Sequence, residues 1–262
     1  MEIKRKITDL TSGQSTYKDA EAAAEEIIIE AKQASVSDLA QYVAFRKAII
    51  DLLKTAIQYT SEGKYKTEKE LHDIIFPTRS SSEDTPYDGH NLWVLDERLT
   101  FTSQYVSSDQ KIFQGSNNDR PDIAVFHHVI AYRETNLSHN PISIFELKKP
   151  GRYDFVGVSV EDPVDQLIRY VQAIKKGELK TIRGEEVQVN KNTPFYGYIV
   201  ADSNNDICDW LIRKNFKQLP DGQGWFFNND NLNLHIEYIT WQKLINDAEL
   251  RHRRFFELLG AV

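Results

Sequence analysis

The sequence predicts an α/β fold whose central order is helix, three strands, helix, strand. Three observations carry that expectation. "TEKELHDIIFP" at 67–77 reads as a short capped helix, and β-branched and aromatic residues then recur in short runs between polar loops as far as Leu147. "EDPVDQLIRYVQAIKKG" at 161–177 reads as a second capped helix, followed by the apolar strand candidate "PFYGYIVAD" at 194–202.

Residues 18–60 come first and read as helical. "YKDAEAAAEEIIIEAKQ" is rich in good helix formers, and Ser35 or Ser37 is placed to cap a second run through Ile57. In that run Leu39, Val43, Ile49, Ile50, Leu53 and Ile57 form a near-helical stripe. Thr67 then caps the helix that must stop near Pro77. Residues 78–90 form a polar loop, residues 91–106 read as a strand or hairpin, and a second polar loop follows around Gly115 to Asn118. Strands are expected near 122–132 and 142–148, with the turn-rich "TNLSHNP" between them.

The later helix has Asp162 as N-cap, proline in its first turn and glycine after its last. Val164, Leu167, Ile168, Val171 and Ile174 make its buried face, while Gln166 and Tyr170, four apart, share another. A helix near 206–215, strands around 224–240 and a terminal helix from Trp241 to Leu259 complete the chain. The domain reading is an N-terminal helical segment at 1–61, suited to partner or oligomer contact, and one domain with a C-terminal β/α extension at 62–262.

Composition narrows the class. At 262 residues, 40% hydrophobic and 27% charged, the chain has ordinary globular composition and length for a sizeable core. One cysteine, Cys208, excludes an intramolecular disulfide or a cysteine-rich zinc site. The start "MEIKRKITDLTSGQ" lacks a following apolar segment, and no run approaches membrane-spanning length, so a cytoplasmic protein without membrane contact is expected. No "GxxxxGK[ST]" loop supports ATP hydrolysis. The net charge of −7 does not advertise nucleic-acid binding. Yet Lys148, Lys149, Arg152, Arg169, Lys175, Lys176, Lys180 and Arg183 fall within 36 residues; Lys175 and Lys176 read best as a solvated helix surface.

The chemistry lies in "RPDIAVF" at 120–126 and "IFELKKP" at 144–150. Side chains alternate along a strand, so Glu146 and Lys148 point one way and Phe145, Leu147 and Lys149 the other. Carboxylates facing a phosphodiester repel it unless a divalent cation lies between them. Mg²⁺, with Mn²⁺ as a substitute, suits a site of one or two carboxylates, the Leu147 carbonyl, water and a substrate phosphate. Lys148 would orient the attacking water or neutralise charge developing on phosphorus. His127 and His128 are adjacent and face opposite sides of a strand, which excludes a shared zinc site; His72 lies near the candidate helical acids, within reach of the site, and reads more simply as a surface histidine.

The order of elements together with "RPD…ELK" resembles the PD-(D/E)XK nuclease superfamily, over residues 62–202. That resemblance implies an αβββαβ restriction-endonuclease-like core and metal-dependent DNA cleavage. It also implies an upstream acid on the first helix. Glu68 has Leu71, Ile74 and Ile75 at +3, +6 and +7, which keeps it at the edge of a buried stripe, and Glu70 is the alternative. Asp122, Glu146 and Glu68 are then metal ligands and Lys148 and Gln166 complete the catalytic set, with Lys149, Arg152 and Tyr170 touching DNA; Tyr170 reads equally as a core tyrosine with its hydroxyl at the edge. "ELKKP" after an acid-then-apolar helix looks like the Shedu-type branch. "LWVLDERL", "DPVDQLIRYV" and "RHRRFFELLG" resemble the nuclease regions attached to GHKL-type ATPases in prokaryotic antiviral defence proteins. Those likenesses imply a defence effector that oligomerises, or joins an ATPase or sensor partner, through its N-terminal helices. The alternative function is a nuclease-like module that binds nucleic acid or a phage protein without cutting.

Overall fold

The structure, a computed structural model, describes residues 17–59, 63–86, 88–100, 106–109, 120–126, 141–156, 162–178, 189–258 and 260, with the backbone alone for 17–35 and 106–107. It is a mixed α/β protein. Its helices are α1 (Tyr17–Ala56), α2 (Glu68–Ile75), α3 (Pro163–Lys175), α4 (Asn205–Arg213) and α5 (Trp241–Leu258). Its strands are β1 (Val106–Ser108), β2 (Ile123–Phe126), β3 (Ile142–Leu147), β4 (Phe195–Val200), β5 (Lys217–Gln218), β6 (Gly224–Asn229) and β7 (Leu234–Ile239). Among the described residues no helix is long and apolar enough to cross a membrane.

The chain divides into two compact units, Met1–Ala48 with Arg251–Val262, and Ile49–Leu250. The division falls inside α1 and α5. α1 is one helix of 40 residues, so neither Ser35 nor Ser37 starts a second one. A serine in a helix interior costs no more than about 0.7 kcal/mol relative to alanine, too little to break a helix that no glycine or proline interrupts. In the first unit Val43 and Arg46 are buried, and the Arg46 guanidinium meets His252 Nε2 at 2.7 Å and lies over the Tyr42 ring at 4.5 Å. Leu39, expected in the buried stripe, is exposed.

The second unit is built on one sheet, in the order β1-β2-β3-β4-β7-β6-β5. β1, β2 and β3 form an antiparallel meander, β3, β4 and β7 run parallel, and β6 and β5 close the far edge antiparallel. All six residues of β3 are buried, as befits a strand in the middle of a sheet covered on both faces. The parallel step from β3 to β4 needs a crossover, and α3 supplies it. Asp162 caps α3 by accepting from the amides of Val164 and Asp165. Val164, Leu167, Val171 and Ile174 bury against the sheet as expected, while Ile168 is half-buried. Burial of each such side chain stabilises by about 1.5–3 kcal/mol. Gly197 in β4 permits the close approach, since a Cβ there would lie 2.8 Å from Leu167 Cδ1.

One expectation between α2 and the meander fails. Residues 91–100 form two 3-10 turns, Leu92–Val94 and Glu97–Leu99, in place of a strand or hairpin. Asp96 caps the second turn through Arg98 N, and Leu92, Trp93, Val94 and Leu99 are buried by a turn rather than by a pleat. The polar stretch before it is folded inward at Ser81, Thr85 and His90, which are 2–6% exposed. The hydroxyls of Ser80, Ser81 and Thr85 bond within the loop, which explains how polar residues go inside there. The loop expected at Gly115 to Asn118, most of the "TNLSHNP" turn, and the part of the 122–132 strand beyond Phe126 lie outside the described residues.

Candidate active site

Strand register brings the two motifs together. β2 pairs antiparallel with β3 with Ile123 opposite Phe145, so Asp122, one residue earlier, comes beside Glu146. Asp122 Oδ2 accepts a hydrogen bond from Leu147 N at 2.7 Å. Alternation along β3 puts Lys148 over Glu146, Nζ to Oε2 3.2 Å. Lys148 Nζ also donates to Gln166 Oε1, on the first turn of α3, at 3.4 Å. The backbone of Lys148 is fixed on two sides: its N–H donates to Val200 O and its carbonyl accepts from Trp241 Nε1, both at 2.8 Å.

Helix α2 decides between the two upstream glutamates. Thr67 and Glu70 form a capping box, in which Glu70 Oε2 accepts from Thr67 N at 2.8 Å and Thr67 Oγ1 accepts from Glu70 N at 3.2 Å. Lys66 Nζ adds an ion pair to Glu70 Oε1 at 2.9 Å. The Thr67 amide and then Lys66 pull the Glu70 carboxyl down to about 2. Glu70 is therefore occupied with its own helix start. Glu68 Oε2 instead accepts from Lys149 N at 3.3 Å and lies 4.0 Å from Arg152 Nη1, beside the end of β3.

The electrostatics are those of crowded acids. Glu146 and Lys148 are 2% and 6% exposed, and Asp122 is half-buried. Burial and then the Glu146 charge push the Asp122 carboxyl well above its ordinary range. Burial also pushes Glu146 up, against the opposing pull of Lys148. Burial alone would lower Lys148, but the charges of Glu146, Asp122 and Glu68 outweigh it and raise the ammonium. Glu146 Oε1 is buried without a hydrogen-bond partner among the described residues. An unsatisfied buried carboxylate oxygen is costly and calls for an explanation such as a bound ion.

Of the expected site residues, Asp122, Glu146, Lys148, Glu68 and Gln166 converge, and Lys149 and Arg152 flank Glu68. Tyr170 does not join them. It is 2% exposed and its hydroxyl donates to Arg120 O at 3.1 Å, so it is a core residue tying α3 to the start of β2 and not a contact for substrate. His72 is also corrected. It is 2% exposed, with Nδ1 2.8 Å from Phe76 O and Nε2 2.8 Å from Asp122 O. It links the helix that carries Glu68 to the strand that carries Asp122. The signal for it was its place at +4 from Glu68, which shares that face of α2. His127, His128, Lys180 and Arg183 lie outside the described residues.

Among the described residues no three histidine, cysteine, aspartate or glutamate side chains stand together as a ready-made metal cage. Mg²⁺ does not require one, because it keeps several waters and takes one or two carboxylates. Two carboxylates, one with an orphaned oxygen, the backbone carbonyl of Leu147 between Glu146 and Lys148 in sequence, and the lysine itself fit such an ion by donor type. No family model, curated protein or solved structure matches this chain.

Proposed function

We propose that the protein is a Mg²⁺-dependent nuclease that hydrolyses DNA phosphodiesters at the Asp122–Glu146–Lys148 cluster. The observation that carries the reading is the convergence of those three residues with Glu68, in a cluster where Glu146 Oε1 has no partner among the described residues. The order α2, β1, β2, β3, α3, β4 supports assigning a restriction-endonuclease-like αβββαβ core, and the PD-(D/E)XK resemblance in the residues points the same way.

Asp122 and Glu146, with Glu68 behind them, would hold the ion. Bound Mg²⁺ lowers the pKa of a coordinated water and offsets the charge of the phosphate. Lys148, held between Glu146 and Gln166, orients that water and stabilises negative charge on the phosphoryl oxygens. Gln166 fixes the lysine head. Lys149 and Arg152, beside Glu68, would meet the substrate backbone. The Shedu-like and GHKL-linked resemblances extend the proposal to an effector in prokaryotic antiviral defence.

The test is a cleavage assay on circular, linear and nicked DNA over a Mg²⁺ and Mn²⁺ titration. Wild-type protein should cut only with metal, and Asp122→Ala should not cut. Lys148→Ala should lose at least about 10²- to 10³-fold in rate while keeping part of its DNA and metal binding. Unchanged cleavage by Lys148→Ala removes the lysine from the mechanism. Saturable DNA binding by wild-type protein with no cleavage at any metal concentration replaces the nuclease with a binding module.

A further inference from the structure

The segment that leads into α2 and the loop that follows β3 meet beside Glu68. Tyr65 lies against Gly151, whose φ is +71° and whose position would bring a Cβ within 2.4 Å of Tyr65 Cε2. Glycine there satisfies both the left-handed backbone and the approach of the ring. Tyr59 packs edge-on against Tyr65, with centroids 5.0 Å apart. Tyr153, two residues beyond Gly151, carries a third ring on the same loop; burial, Asp202 and Tyr65 push its phenol up. Tyr65 is half-buried behind Tyr59, while Tyr59 is 63% exposed and Tyr153 37%.

This aromatic ledge adjoins the acid cluster, since Lys149 N and Arg152 Nη1 on the same loop reach Glu68. Lys64 and Lys149 add cationic groups on the two segments. Open aromatic faces interleaved with cations are the chemistry that holds an unpaired strand: bases stack on the rings while cations follow the phosphates. A closed duplex hides its base faces in its own stack and offers none of them to a ledge.

We propose that Tyr59, Tyr65 and Tyr153 form a stacking ledge for unpaired bases next to the phosphate that enters the acid cluster, so that single strands and frayed ends are the preferred substrate. The inference rests on reading that cluster as a nuclease site. Each stacked base strengthens binding by roughly 5- to 100-fold.

Full-length protein is titrated, with Ca²⁺ in place of Mg²⁺ and strand integrity checked on a gel, against a labelled DNA single strand, its blunt duplex and the strand with abasic positions. Fluorescence anisotropy is read for wild type, Tyr59→Ala, Tyr153→Ala, Tyr59→Phe and Tyr153→Phe, each verified as folded by circular dichroism and melting temperature. The single strand should bind about tenfold tighter than the duplex. Each alanine variant should lose roughly 5-fold or more on the single strand and little on the duplex or abasic strand, and phenylalanine should restore it. Equal binding of single strand and duplex, or alanine variants that bind like phenylalanine ones, overturns the ledge. Metal-dependent cutting that ignores strandedness overturns it too and leaves the metal site standing. Ring-dependent strand binding without cleavage keeps the ledge and overturns hydrolysis.

Discussion

Two buried carboxylates in the same unit, 16 residues apart in sequence, are treated in opposite ways. Asp162 is 3% exposed, and both its oxygens are engaged. Oδ1 accepts from Val164 N and Asp165 N at 3.0 and 3.2 Å, and Oδ2 meets Trp210 Nε1 at 3.2 Å and Lys214 Nζ at 3.0 Å. Glu146 is 2% exposed, with one oxygen on Lys148 and the other on nothing. A carboxylate whose hydrogen bonds are complete holds a fold together; one left incomplete among other acids is the group that the proposed function assigns to a metal ion.

Removing the negative charge at each position tests that contrast. Glu146→Gln should reduce metal-dependent cleavage by about 10²- to 10³-fold while the melting temperature of the metal-free protein holds or rises, because mutual repulsion with Asp122 and Glu68 disappears. Asp162→Ala should do the reverse. It strands Trp210 Nε1, two helix amides and part of the Lys214 charge, and should cost about 3 kcal/mol in urea unfolding. The value sits at the low end for a broken buried pair because Lys214 keeps Asp165 at 2.7 Å. A Glu146→Gln variant that melts well below wild type would make both carboxylates structural and dissolve the contrast.

Acidity sharpens it further. Asp122 and Glu146 have raised carboxyl pKa values, and both must lose their protons to bind a cation. Apparent Mg²⁺ affinity should therefore climb with pH from the ordinary carboxylate range up to the raised values and level off above them. The climb approaches about tenfold per pH unit for each proton released. Stability of the metal-free protein runs the opposite way. An acid that holds its proton more tightly when folded stabilises the fold below its unfolded pKa, and that contribution is lost as pH rises through the folded value. Calorimetric Mg²⁺ titrations and metal-free melts at stepped pH measure the two slopes, and parallel slopes would reject the assignment of these acids as ligands.

The elements that the sequence made legible are those with local punctuation. Thr67 and Asp162 announce their helices because a side chain satisfies amides that the helix itself leaves open, and Asp122, Glu146 and Lys148 follow from alternation on strands bounded by proline and polar residues. Residues 92–99 were unreadable for a physical reason: a run of apolar residues buried by two 3-10 turns has the composition of a strand, and periodicity over so few residues does not separate the two. His72 and Tyr170 are both buried, against the surface and DNA-contact readings, because burial depends on the partners that the fold supplies. Phe76 and Asp122 supply carbonyls that draw the histidine inside, and Arg120 supplies the acceptor that lets the tyrosine stay there. The ledge tyrosines left no pattern at all, since the segment that carries Tyr59 and the loop that carries Tyr153 meet only where Tyr65 covers Gly151.

The smallest expected difference lies between two glutamates on one turn of α2, where sequence spacing left the choice open. Glu68 touches the loop after β3, so Glu68→Gln should weaken cleavage by about 10-fold, through looser support of the ion and of Lys149. Glu70→Gln should leave cleavage unchanged, because that side chain faces Thr67 and Lys66. Its effect belongs to acid stability. A carboxyl held down to about 2 when folded stabilises the protein above its unfolded value, and this is lost as pH falls from about 4.5 towards 2. Melts across that window should show a shallower acid-side decline in Glu70→Gln than in wild type, with cleavage rates of both variants measured at neutral pH. A cleavage defect in Glu70→Gln as large as that in Glu68→Gln would mean that α2 acts on the site through its integrity as a helix, and Glu68 would lose its place beside Asp122 and Glu146.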